Sequence, residues 1–165
     1  MPNKYPIRIF QESDWDQVWE ILQPVFAEGE SYMFDPNISK GEAYKAWITT
    51  PKKTFVAVDT NDNPIATYYL KPNQPTLGAH ICNCGYIVSK SARGKGIARL
   101  LCEHSQIQAK EMGFRGMQFN AVVSTNTVAV NLWLSLGFEK VGVIPGGFYS
   151  SGSGYVDTYV MFKNL

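Results

Sequence analysis

Arg93, Lys95 and Arg99 are interleaved with Gly94 and Gly96 in SARGKGIARLL, residues 91–101, where an apolar periodic run begins. A strand that ends, turns through glycines and starts a helix leaves several backbone N–H groups unpaired and pointing one way, and the helix dipole adds positive potential there. Phosphate suits such a place. The glycines allow close approach to the backbone, and the cations can add charge-assisted hydrogen bonds at the rim. A P-loop would need glycine, four residues, then Gly-Lys-Ser/Thr, and a dinucleotide fingerprint would need a third glycine where Arg99 stands. Neither fits. Alone, the stretch reads first as an exposed basic turn, so a second, independent feature has to decide.

His80, Cys82 and Cys84 alternate and can share one strand face, imitating a metal-ligand cluster. A fourth ligand and the usual spacing are lacking, so these read as packed strand residues and no metal is expected. The aromatic set Trp15, Trp19, Phe26 and Trp47 falls at helical spacing, which favours core packing over a binding pocket.

The elements that must position the basic loop follow from periodicity. YPIRIF reads as a strand. SDWDQVWEILQPVFAEGE reads as a helix capped by Ser13 or Asp14, with Pro24 leaving its last turn uncertain. ESYMFDPNI is a loop, and SKGEAYKAWIT opens with a capping box between Ser39 and Glu42. KTFVAVD, the turn TNDN and PIATYYLKP make a hairpin, and GAHICNCGYIVS is a further strand leading into the loop. The helix after it carries Ile97, Leu100, Leu101, His104 and Ile107 on one stripe and stops near Gly113. GMQFNAVV alternates as a strand. A capped helix, STNTVAVNLWLSLGF, then turns Val128, Ala129, Leu132, Trp133 and Leu136 inward, and FEKVGVI and YVDTYVMFK supply two last strands. The sum is β-α-α-β-β-β-α-β-α-β-β, an α/β chain of the α+β type. It forms one domain over residues 1–165 with a mixed, mostly antiparallel sheet flanked by helices.

Composition narrows the function. With 15 basic and 14 acidic side chains the net charge is +1, so no overall field draws the chain to nucleic acid or an anionic membrane, and any anion site is local. No apolar run approaches a membrane span and the first residues lack the apolar core of a secretory signal, so a cytoplasmic protein is expected. Three cysteines fit reduced thiols better than a disulfide framework.

The deciding feature is NTVAVNLWLSLGF, residues 126–138. Together with the loop and the strand NCGYIVS before it, this segment resembles the GCN5-related N-acetyltransferase (GNAT) family. In that family an Arg/Gln-x-x-Gly-x-Gly/Ala signature is matched here by Arg93, Gly96 and Ala98. A later Asn-x-x-Ala-x-x-Leu-aromatic-x-x-x-Gly-Phe signature is matched by Asn126, Ala129, Leu132, Trp133, Gly137 and Phe138. The resemblance implies acetyl-CoA as cosubstrate, with no metal, and a V-shaped opening between the strand ending at Val88 and GMQFNAVV. It places the pantetheine arm against backbone groups of Tyr86, Ile87 and Val88. The pyrophosphate would lie on the N–H groups of Arg93, Gly94, Lys95, Gly96, Ile97 and Ala98, with Arg99 at the rim. Asn126 would hydrogen-bond the pantetheine, a position that also suits a simple helix cap.

Acyl transfer from a thioester to an amine needs a neutral amine, an oxyanion site and a leaving thiolate. The resemblance puts the oxyanion site at a backbone N–H near Val88. Where relatives often carry a tyrosine that reaches the cofactor sulfur, this chain has Trp133, which cannot donate that proton; solvent, Tyr149 or Tyr155 then remain as donors. The loop of Glu30 lines the acceptor side in similar enzymes, which makes Glu30 the candidate base or ammonium ligand, with Tyr32 and Phe34 touching substrate. Asp157 and His80 rank below it. AEGESYMFD resembles the same segment of acetyltransferases acting on amino acids and phosphinothricin, so the expected partner is a small-molecule primary amine, and a homodimer is compatible with the sequence. Two other readings stay open: a protein N-terminal or lysine acetyltransferase, and a catalytically silent CoA-binding sensor.

Overall fold

The structure is a computed structural model and describes residues 4–165; residues 1–3 of the expected domain lie outside it. Seven strands form one sheet: β1 (Ile7–Ile9), β2 (Lys53–Val58), β3 (Pro64–Pro72), β4 (Ile81–Val88), β5 (Gly116–Val123), β6 (Glu139–Ser150) and β7 (Gly154–Asn164). The helices are α1 (Trp15–Glu28), α2 (Lys40–Tyr44, continued by a π turn over Lys45–Thr49), α3 (Ile97–Glu111) and α4 (Thr127–Ser135). Their order along the chain is the one read from the sequence. Among the described residues no helix is long and apolar enough to cross a membrane.

In space the strands run β1-β2-β3-β4-β5-β7-β6. Every neighbouring pair is antiparallel except β4–β5, which the α3 crossover makes parallel. The sheet is thus two antiparallel halves joined at one parallel seam. Each face carries its own core. On one, α3 and α4 cover Tyr68, Leu70, Cys82, Cys84, Met117 and Met161; on the other, α1, α2 and the π turn cover Val56, Val58, Tyr69 and Ile87. Trp47 and Phe26 belong to the second core, as their spacing indicated.

Some local readings need correction. The capping box is present, with Ser39 and Glu42 bonded to each other's backbone N–H at 3.2 and 2.9 Å. Asp14, by contrast, precedes α1 in a short 3-10 turn and makes no side-chain cap. Its carboxylate instead accepts from Gln11 N–H and from the Arg8 guanidinium at 2.8–2.9 Å. Pro24 sits inside α1, which runs on to Glu28 and ends at Gly29. On α4 Trp133 is buried and Ala129 and Leu132 pack against the first core as expected, but Val130 is buried while Val128 is 80% exposed. The α4 sequence is apolar nearly all round, so periodicity alone could not pick its buried face. Ile107 is exposed too; the buried stripe of α3 runs through Ile97, Leu101, Cys102, Ser105 and Ala109, where small side chains let the helix lie close to the sheet.

Candidate active site

The parallel seam is short. Only Ile81↔Gly116 and Cys82↔Met117 pair across it, and beyond them β4 and β5 diverge into the V-shaped gap that the resemblance implied. At the fork, the Asn83 side-chain amide donates to the Gln118 carbonyl at 2.9 Å and accepts from the Tyr69 hydroxyl at 3.2 Å. Ladder parity decides which backbone groups enter the gap. Asn73 N–H donates to Ile81 C=O and Ser89 N–H to Ile65 C=O, so the odd-numbered residues of β4 bond to β3. Ile87 therefore belongs to the β3 ladder, while the N–H and C=O groups of Tyr86 and Val88 face the gap.

β4 leads into the basic loop. Lys90–Ala92 form a 3-10 turn, and Gly94 and Gly96 take positive φ of 75° and 77°, which brings the chain into α3 with Gly96 as its side-chain-less N-cap. Among the described residues, no carbonyl accepts from the N–H groups of Gly94 to Arg99. A Cβ placed on Gly94 or Gly96 would meet nothing within 4 Å, so this backbone is open to an approaching anion. Ile97 is buried beneath the turn and Ala98 half-buried. The three cations behave differently. Arg93 is exposed and forms none of the ion pairs among the described residues. Lys95 turns back to the Ser91 carbonyl at 2.9 Å. Arg99 reaches Ser135 of α4 at 2.7 Å and Glu103 at 3.6 Å, tying the two helices together. On α4, Asn126 Oδ1 caps the helix at Ala129 N–H, 3.3 Å, which leaves its amide nitrogen available as a donor.

On the α1–α2 face, the loop after α1 bridges the gap. At one end the Glu30 carboxylate accepts from Ser150 Oγ at 2.6 Å, from Ser151 Oγ and from Gly152 N–H at 2.7 Å, all on the β6–β7 turn. These bonds hold its pKa below the usual carboxylate range. At the other end, the Tyr32 hydroxyl accepts from Tyr86 N–H and donates to Tyr86 C=O, both at 2.8 Å. Burial pushes the Tyr32 phenol up, so it stays a neutral hydroxyl. Its ring stacks on Phe34 at 6.1 Å and meets Trp47 edge-on at 5.8 Å and Phe26 at 5.8 Å. Glu30, Tyr32 and Phe34 thus share one strap across the mouth of the gap. A carboxylate already accepting three hydrogen bonds is a weak base but a firm anchor.

On the opposite face Trp133, 9% exposed, packs against the Tyr86 ring at 5.2 Å and Phe119 at 5.0 Å, and the Tyr86 hydroxyl bonds Ser105 Oγ at 2.7 Å. The weaker candidates fall elsewhere. His80 is exposed at the closed end of the seam. Asp157 accepts from Gly146 N–H at 2.9 Å. Tyr149 and Tyr155 are exposed partners across the β6–β7 ladder, and Tyr149 points to the face opposite its neighbour Ser150. Cys82, Cys84 and Cys102 are buried free thiols, and among the described residues no three His, Cys, Asp or Glu side chains are grouped to hold a metal ion. The sequence reading missed Ser150, Ser151, Gly152 and Asn83. The turn chemistry of SSGSG was visible, but its partnership with Glu30, 120 residues away along the chain for Ser150, left no local signal.

Residues 15–138 match the model of the Acetyltransferase (GNAT) family. Over 111 residues the chain is 37% identical to the N-acetyltransferase aca1 of Schizosaccharomyces pombe, a match covering 67% of this chain and 53% of that protein. The chain thus spans about half the length of that curated relative. Among solved structures, a GCN5-related N-acetyltransferase from Kribbella flavida superposes with a TM-score of 0.94 at 37% identity, covering 100% of both chains. A phosphinothricin acetyltransferase of Sinorhizobium meliloti, solved in complex with AcCoA, superposes with a TM-score of 0.87 at 21% identity, over 99% of this chain and 89% of that one, which is a likeness of fold.

Proposed function

The chain belongs to the GNAT acetyltransferase family, and from that premise we propose that it moves the acetyl group of acetyl-CoA onto the primary amine of a small molecule, an amino acid or an amino-acid-like toxin. One observation carries the reading: a gap faced by the N–H and C=O groups of Tyr86 and Val88, outside the β3 ladder, leads to a loop whose N–H groups, from Gly94 to Arg99, have no partner among the described residues. An extended amide-bearing arm that ends in a pyrophosphate matches that sequence of groups. Arg93 pairs with the phosphates, and the Asn126 amide donates to the arm.

The acceptor nitrogen attacks the thioester carbonyl carbon, and the charge developing on the carbonyl oxygen is met by a gap-facing backbone N–H of β4. The C–S bond then breaks and the thiolate departs. With a pKa of about 8.5 for an ordinary thiol, it needs no strong acid, and solvent returns its proton in the absence of a tyrosine at Trp133. Glu30 is read as the anchor of the acceptor loop and as the negative field that holds an incoming ammonium. Its depressed pKa suits that role better than proton abstraction, so water takes the amine proton.

A small acceptor is favoured over a protein N-terminus or a lysine side chain because the strap and its ring cluster of Phe26, Tyr32, Phe34 and Trp47 cover the acceptor side, where a peptide would need an open groove. The test is a panel of free amino acids, other small amines and peptides with acetyl-CoA, monitored by released thiol. Turnover confined to small amines is expected. Turnover confined to peptides would overturn the acceptor assignment, and acetyl-CoA binding without turnover on any amine would mark a CoA-binding module.

A further inference from the structure

The Tyr32 hydroxyl oxygen lies 2.8 Å from the Tyr86 nitrogen, on the edge of β4 that faces the gap. A thioester carbonyl held by that N–H needs the same place. The hydroxyl also donates to Tyr86 C=O, so one side chain satisfies both gap-facing groups of that residue. We propose that Tyr32 is a place-holder for the acyl group: it occupies the thioester-oxygen position in the free protein, and acetyl-CoA displaces it. This rests on the acetyl-transfer reading given above and assigns Tyr32 a role in it that substrate contact alone does not.

The strap's geometry suits such exchange. Its Glu30 end is fixed by three hydrogen bonds to the β6–β7 turn. Among the described residues its Tyr32 end is held at the backbone through the hydroxyl, with the ring resting on other aromatic rings and not on a further hydrogen bond. Displacement at Tyr86 therefore moves the segment that carries Tyr32 and Phe34, the acceptor-facing side chains, while the anchor holds. Donor occupancy is thereby transmitted to the acceptor pocket. Because the competition is for the position of the acyl oxygen, free CoA, which has no acyl carbonyl, does not need Tyr32 to leave.

Tyr32→Phe removes the hydroxyl and keeps the ring. Calorimetry with acetyl-CoA and with CoA, on wild type and variant, reads the effect. The variant binds acetyl-CoA about five- to hundredfold tighter, the population factor that the two hydrogen bonds of the hydroxyl set, and binds CoA within about twofold of wild type. In parallel, the Tyr86 amide exchanges hydrogen faster in the free variant than in free wild type, and acetyl-CoA restores its protection. Unchanged or weaker acetyl-CoA binding, or an equal gain for both ligands, overturns the place-holder and leaves Tyr32 a plain fastener of the loop. Wild type that binds neither ligand overturns the acetyl-transfer reading itself, a result distinguishable from the others before the variant is made.

Discussion

Replacing Gly96 by alanine separates the anion-binding role of the basic loop from its conformational role. Gly96 has φ +77° and ψ 7° at the N-cap of α3, and an added Cβ meets nothing within 4 Å. The cost to folding is then backbone strain alone, about 1–2 kcal/mol for an L-residue in the left-handed region. In a domain of this length that lowers Tm by about 2–8 °C. Gly113 is a matched control at the other end of the same helix, with φ +86° and equally open surroundings. Gly113→Ala should therefore lower Tm by a similar amount. The ligand arithmetic differs. A methyl at Gly96 adds bulk to the loop whose N–H groups are unpaired, and keeping a pyrophosphate from one of them forfeits about 1.5–3 kcal/mol. The acetyl-CoA Kd is expected to rise about ten- to hundredfold for Gly96→Ala and to stay within about twofold for Gly113→Ala, measured by calorimetry beside thermal melts of both. Equal changes in Kd for the two variants, or an unchanged Kd for Gly96→Ala, would refute the assignment of the loop to phosphate.

Arg93→Ala removes an exposed guanidinium that forms no ion pair among the described residues, so Tm should hold while the acetyl-CoA Kd rises about tenfold and loses part of its salt dependence; titrations at two ionic strengths measure this. Glu30→Gln should raise acceptor KM yet leave the kcat pH profile above pH 6 unchanged in shape, whereas loss of a general base would lower kcat about 10²–10⁴-fold. Because the folded pKa of Glu30 is lowered, its anchoring contribution is complete above the ordinary carboxylate pKa of about 4.3 and is lost as pH falls through the depressed value; acid unfolding should show that component in wild type and not in Glu30→Gln. Trp133→Ala opens the wall against Tyr86 and Phe119 and should cost about 3–5 kcal/mol in urea denaturation.

What the sequence disclosed and what it hid divide by the range of the interaction. The Ser39–Glu42 capping box and the glycine-turned helix start are encoded within a few residues, so residue type and spacing revealed them. Burial on α4 was misassigned at Val128 because the helix is apolar nearly all round and only packing chooses among its faces. The strap is the extreme case. Its two ends rest on partners 54 residues away at Tyr86 and 120 residues away at Ser150, pairings that no period or cap announces. The basic loop was therefore legible as a motif and Glu30, Tyr32 and Phe34 as candidates on their loop, while the partners that fix that loop emerged only with the fold.

Ile87 carries the argument furthest. The resemblance grouped it with Tyr86 and Val88, and the sequence around the three offers no means of separating them. The separation comes from the register of β4 on β3, where Tyr68 opposes Tyr86 and Thr67 opposes Ile87. A slip of one residue would turn the Ile87 amide into the gap and commit that of Tyr86 to the ladder. Gly85 helps to prevent it: opposite Tyr69, a Cβ at this position would come within 2.7 Å of the Tyr69 ring, which stands edge-on to Trp47 at 4.8 Å and donates its hydroxyl to Asn83 at the fork. A one-residue slip would set Cys84 or Tyr86 against that ring, and either brings the Cβ that the contact excludes. The backbone groups turned into the gap are thus specified by a glycine and by an aromatic ring on the neighbouring strand.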